Sequence, residues 1–324
     1  MDAYVERAAR DMAAARDELL AALSEVGAED WRRYVPYGSR TLHGLFAHLA
    51  SADHAWALAA QGLLKGEAED ARALTPEAAR AAREDAARRN AQRTPAELLD
   101  EMQRRRRLLM SLYELLEPRH LALRLPAYGE RHNSVRERIW LGYHDRAHAA
   151  DVRRALRLRW HPMRASFLPE VVPVVASLAP DRVLYVAWSV DPVLWERASG
   201  VPGWSNRQLL AHIAVGDWVL QTHLRHLIEE GAPAAWPDID AGNAARIAER
   251  ALTPCAALLE EYLSMRHETL RLLAQLTPEH VAQPIALAWL PEPEGHTVLE
   301  YLQGFHWHDT MHAEQLRPAM KYLR

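Results

Sequence analysis

The chain has 324 residues, 49% of them apolar, enough for about two domains that each bury a core. A formal charge of −4 gives no general pull toward nucleic acid or anionic membrane, and only Lys65 and Lys321 among the 39 basic residues are lysine. The single Cys255 excludes an intrachain disulfide and any CxxC metal site, no apolar run approaches the roughly 20 residues that span a bilayer, and residues 1–26 hold no signal-peptide block, so a cytoplasmic protein is expected.

In chain order, residues 2–26 put Val5, Ala8, Met12, Ala15, Leu19, Leu20 and Leu23 on one stripe at helical spacing. Thr41 opens a second helix, which Gly66 stops. Thr94-Pro95, a capping residue followed by proline in the first turn, starts a third that ends before Pro118. Asn133 or Ser134 caps a fourth that runs to about Arg159. The Ala/Arg/Glu-rich stretch 66–93 has room for an extra exposed helix. Four amphipathic helices joined by loops predict a helical bundle.

The second half repeats the first. "TLHGLFAHLASAD" (41–53) matches "SNRQLLAHIAVGD" (205–217), and Trp31 matches Trp195. "TPAELLDEM" (94–102) matches "TPCAALLEEY" (253–262), "LEPRH" matches "LTPEH", and "HNSV" matches "HTVL". This is one internal duplication with loops of changed length. Pro162, Pro169, Pro173 and Pro180 mark the boundary, and the opening helix of the second copy is displaced or split. Residues 182–190, "RVLYVAWSV", read as a strand on periodicity but as helix by their counterpart; helix is taken. The prediction is an all-α chain of two tandem four-helix bundles, 1–160 and 165–324.

Seventeen histidines give the first functional hint. "YHDRAHAAD" (143–151) and "WHDTMHAEQ" (307–315) both read His-Asp-x-x-His. On a helix, i and i+4 share a face, so His144 with His148, and His308 with His312, can grip one ion each. Two ligands hold weakly, and His48 and His212, each in apolar helical context, are the candidate third ligands. Both lie 96 residues before the first histidine of their motif. A lone HxxxH is usually accidental and a lone apolar-face histidine is usually core; recurrence of the set of three favours metal.

Other repeated polar residues separate by geometry. His132 and His296 precede the helical ligands by 12 residues, about 18 Å of α-helix, and belong at a helix start. His120 and His280 follow a helix end and are read as complementing its carbonyls. Asp53 and Asp217 are read as solvated or helix-pairing ahead of supporting a ligand. His223 and His226, unmatched in the first copy, are read as surface residues, and "RRRR" (104–107) as a solvated face fanning around a helix.

Asp145 and Asp309 make each motif one methylene short of HExxH, the zinc-hydrolase helix. That site draws its third ligand from downstream, and the 12 residues after His312 hold one carboxylate, Glu314, on the same helix. Asp145 and Asp309 remain either acceptors supporting the ligands, or bases, or ordinary surface acids. Tyr143, Trp56, Trp218 and Trp307 are candidate pocket walls.

An early-helix histidine in "AHLA" or "AHIA" followed by HxxxH on the last bundle helix resembles the DinB/YfiT-like superfamily, and the resemblance spans both copies. It implies a four-helix bundle with a three-histidine metal site, most often zinc or nickel. It also implies thiol S-transferase, hydrolase or isomerase chemistry on a small-molecule substrate, with a low-molecular-weight thiol as a further cofactor. Homodimeric relatives imply that a tandem chain pairs internally as a pseudo-dimer and is a monomer, without nucleic acid or membrane as partner. The competing reading is a non-catalytic bundle that metal staples together as a binding or stress-response module.

Overall fold

The structure is a computed structural model. It describes residues 2–37, 40–64, 85, 88–123, 134–140, 142–158, 160–286 and 294–321, and among these the side chains of 53–63, 137, 138, 161 and 306 stand outside the description. The helix expected within 66–93, the Gly66 stop of the second helix, His132, Asn133, and the side chains of Asp53, His54 and Trp56 thus lie wholly or largely outside the described residues. The chain divides into two compact units, Met1–Arg159 and Trp160–Arg324. The fold is all-α, as expected; among the described residues the named strands are the two-residue pair β1 (Pro284–Ile285) and β2 (His296–Thr297). No described helix is long and apolar enough to cross a membrane.

In the first unit α1 (Ala3–Ser24) packs on α4 (Gly142–Arg157), and α2 (Leu42–Leu64) on α3 (Pro95–Tyr113). The stripe read from the sequence is the buried face of α1: Val5, Ala8, Met12, Ala15 and Leu19 are fully enclosed. Leu19 meets Phe46, Leu49, Leu98, Met102 and Val152 in one core cluster. Thr94 caps α3 in a reciprocal box, its hydroxyl accepting from the Glu97 N–H and its N–H donating to the Glu97 carboxylate at 2.7 Å.

The fourth helix differs from expectation. A single turn, Val135–Arg138, is followed by a break at 139–140 before α4 begins. The break lets Ile139 and Trp140 both turn inward, Trp140 with its ring edge-on to Tyr4 at 5.6 Å. Gly142 then starts α4 hard against α1: a Cβ there would lie 2.6 Å from an Asp11 carboxylate oxygen.

In the second unit the opening helix is split, as α5 (Val172–Ser177) and α6 (Asp181–Ser189), with Pro180 between them. Proline cannot donate within a helix, which accounts for the break. Residues 182–189 are helical, so the counterpart outweighs the β-rich composition. The counterpart of α2 is also divided, into α7 (Asn206–Val215) and α8 (Trp218–Glu230), with Asp217 at the α8 N-cap. Then come α9 (Ile239–Glu249), α10 (Cys255–Leu273) and α11 (Val298–Leu316). Helix α11 is continuous and is capped by Thr297 with Glu300 as its box partner. It packs on α5, α6 and α7, while α10 packs on α7 and α8.

The loop before the second helix repeats bond for bond. Val35 N–H donates to Arg40 O and Leu42 N–H to Arg33 O; Ser199 N–H donates to Trp204 O and Asn206 N–H to Arg197 O. His120 and His280 also share one role, but not the expected one. Each sits at the third position of a short helix, and its Nδ1 accepts the N-cap N–H, of Glu117 at 3.0 Å and of Thr277 at 3.3 Å. They complement a helix beginning, not carbonyls at an end.

His226 is exposed, as read, but His223 is 3% exposed, between Trp236 (ring centroids 4.2 Å apart) and Tyr301. Burial pushes its pKa down to about 4, with the Ala234 backbone opposing and His226 adding. The folded unit therefore refuses a proton that the unfolded chain accepts below its ordinary value of 6.5. Stability is full above that value, falls as pH drops toward about 4, and levels off below. Denaturant titrations of wild type and His223→Leu between pH 7 and 4 should show a shallower loss in the variant; equal slopes would contradict this.

Candidate metal centres

Each unit brings its three histidines together. His48 on α2 meets His144 and His148 on α4, and His212 on α7 meets His308 and His312 on α11. In each triad one ligand atom per histidine lies within 4.8 Å of the other two. The second triad is the tighter. His212 Nε2 lies 2.9 Å from His308 Nε2 and 3.1 Å from His312 Nε2. In the first, His148 Nε2 is 3.3 Å from His144 Nε2, and the His48 ring centroid stands 5.5 and 5.4 Å from theirs. Gly216 permits part of this difference: a Cβ there would fall 2.6 Å from His308 Cε1, whereas position 52, 164 residues earlier, is alanine.

The other ring nitrogens are held from behind. His148 Nδ1 lies 2.8 Å from Asp151, and His312 Nδ1 lies 2.6 Å from the Gln315 carbonyl oxygen. His308 Nδ1 is 3.3 Å from Asp309, and His144 Nδ1 is 4.0 Å from Asp145. A proton on Nδ1 donated to such an acceptor leaves Nε2 as a lone pair. Lone pairs converging from three rings can hold a shared cation, and this donor set suits zinc, nickel, copper or iron(II). Burial, with the charges of His308 and His312 adding, pushes His212 down to about 3; burial also pushes His312 down to about 4. Both are neutral at pH 7 and need lose no proton to become ligands.

Asp145 and Asp309 are not surface acids. Asp145 is wholly buried, with Arg16 of α1 at 2.9 Å and Arg106 of α3 at 3.0 Å. Asp309 accepts from Arg266 at 2.8 Å and from the Tyr262 hydroxyl at 2.6 Å, both on α10. Burial by itself would raise both carboxyls. For Asp145 the contact with His144 and the charges of Arg106 and Arg16 outweigh it, and for Asp309 the Arg266 charge and contact with His308 do so. Both stay well below the usual carboxylate range. Asp217 shares Arg266, at 2.9 Å, and accepts from Thr269 at 2.6 Å, so it pairs helices as expected. Burial raises its pKa, with Asp309 adding and Arg266 opposing.

The solvated reading of "RRRR" fails at one residue. Arg104 and Arg105 bind Glu101 near the surface and Arg107 is exposed, but Arg106 points inward to Asp145. The sequence held the signal, because Arg106 and Arg266 occupy equivalent places in the repeat. Asp151 and Gln315 also went unassigned, although each closes its quoted motif three residues past the last histidine.

A cavity of about 510 Å³ opens beside the second triad, with His212, His308, Trp218 and Trp307 in its wall. Two of the candidate wall residues, Trp218 and Trp307, thus line a cavity; Tyr143 is half-buried.

Comparison with known families agrees with the repeat. Residues 176–316 match the family model described as the DinB superfamily, and residues 12–153 match that of the mycothiol maleylpyruvate isomerase N-terminal domain. No curated protein and no solved structure matches the chain.

Removing Asp145 strands two buried guanidinium groups. Asp145→Ala should therefore destabilise the first unit by about 3–5 kcal/mol, measured by denaturant unfolding. A loss under about 1 kcal/mol, the scale of a surface pair, would return Asp145 to the surface-acid reading.

Proposed function

The chain is a tandem member of the DinB-like superfamily, and on that premise we propose that it is a metal-dependent enzyme acting on a small molecule. One divalent ion, zinc or nickel, belongs to His48, His144 and His148, and a second to His212, His308 and His312. The observation that carries this reading is the convergence of three Nε2 atoms in the second triad, with two Nδ1 atoms engaged behind them. Three neutral imidazoles would leave a bound ion its full charge, and the chemistry it would supply is to make a thiol or water more acidic.

The chain's own residues supply the rest. Asp309 and Gln315 fix the rings of His308 and His312, and Asp151 fixes that of His148. The buried arginines hold Asp145 and Asp309 ionised, so these carboxylates serve as acceptors and not as proton carriers. The match of 12–153 to a mycothiol-dependent isomerase domain supports a low-molecular-weight thiol as co-substrate, and hence thiol transfer or thiol-dependent isomerisation. A cavity walled by two of the ligands supports catalysis over a purely structural staple.

Elemental analysis of tag-free protein should find about two ions per chain, and none in the His144→Ala, His308→Ala double variant. Metal-free wild-type protein would end the proposal. Cobalt(II)-loaded protein should change its visible spectrum when a low-molecular-weight thiol is added; an unchanged spectrum would favour the non-catalytic staple.

A further inference from the structure

The cavity of the second unit is specific about what it can hold. Its volume, about 510 Å³, is that of a small-molecule site. Five aromatic side chains line it: Trp218, Trp236, Tyr301, Phe305 and Trp307. Several are locked against one another and lead to the triad. Trp236 meets Tyr301 edge-on at 5.7 Å, Tyr301 meets Phe305 edge-on at 6.1 Å, and Phe305 stacks on His308 at 6.0 Å. A wall of this kind offers π faces and apolar area in fixed positions.

Apart from the histidines, among them His296 at 4.0 Å from Glu300, the one charged side chain in the wall is acidic. No lysine or arginine lines it, and Glu300 does. Its carboxylate accepts the Thr297 N–H at 2.7 Å, which holds its pKa below the usual value and keeps it anionic at neutral pH. Arg246, over the Trp218 ring at 3.9 Å, donates to Gly242 O and is outside the wall. An anionic ligand body would lose its hydration here and meet a carboxylate.

Gly304 supplies the room. It sits inside α11, one turn before His308 and on the same face, where glycine weakens a helix relative to alanine. A Cβ at 304 would touch nothing within 4 Å, so helix packing does not require the glycine. The space over it belongs to the cavity, whose wall includes Gly304.

We propose that this cavity binds a small molecule whose body is uncharged, flat and aromatic or otherwise apolar, with one end toward His212 and His308. That this end is the reacting one rests on the metal-centre reading; the binding preference does not.

The test uses the full chain, as purified and after chelation, with two fluorescent probes: neutral N-phenyl-1-naphthylamine and its anionic relative 8-anilino-1-naphthalenesulfonate. The neutral probe should quench tryptophan fluorescence and bind at least about tenfold tighter than the anion in the chelated protein. Gly304→Leu, which fills the space, should weaken the neutral probe about tenfold or more at unchanged metal content. Glu300→Gln keeps a capping partner and removes the charge; it should tighten the anionic probe and leave the neutral one unchanged. Equal or tighter binding of the anion to wild type, or indifference to both substitutions, would overturn the proposal. Protein that holds no metal as purified, yet discriminates the probes, would sink the metal-centre reading and spare this one.

Discussion

Each unit is organised around a buried arginine that bridges its last two long helices. Arg106 on α3 reaches Asp145 on α4, and Arg266 on α10 reaches Asp309 on α11. A guanidinium taken out of water must be paired, so its position fixes the carboxylate, and the carboxylate fixes the helix that carries it. That aspartate directly follows the first histidine of the motif. Locking it to the core therefore sets the rotation of the ligand helix, and with it the direction in which both of its histidines point. The upstream histidine arrives from a helix packed on the arginine's own helix.

Around this shared contact the copies have been finished differently. The first pairs its aspartate with a second cation, Arg16; the second gives its arginine a second acid, Asp217. The last ligand is backed by a carboxylate at Asp151 and by a neutral amide at Gln315. A carboxylate raises ligand basicity more than an amide does, so the two centres present different electron density to whatever they hold. Position 304 and its counterpart at 140 differ as well. Glycine leaves open space beside the second triad, while Trp140 turns into the core against Tyr4. One duplicated plan thus supports two distinct environments.

Much of this was legible in the sequence. Helical periodicity marked α1, a cap followed by proline marked α3, and the repeat carried the helical reading of α6 against its β-rich composition. The histidine triads were legible because i, i+4 spacing and the interval of 96 residues occur twice. The readings that failed, of His223, Arg106 and the His120 and His280 pair, share a cause. Each concerns a polar side chain whose partner lies on another segment or whose role depends on a local turn, and residue type alone does not reveal either.

The sequence by itself determined what is local or periodic: helix positions, the duplication, and which histidines form sets. Tertiary structure alone decided what depends on convergence from distant segments. It made Asp145 and Asp309 core ions, it turned Arg106 away from its three neighbours, and it opened a cavity over Gly304. The physical reason is that burial sets the energy of a polar group, and burial is a property of the packed chain and not of the residue.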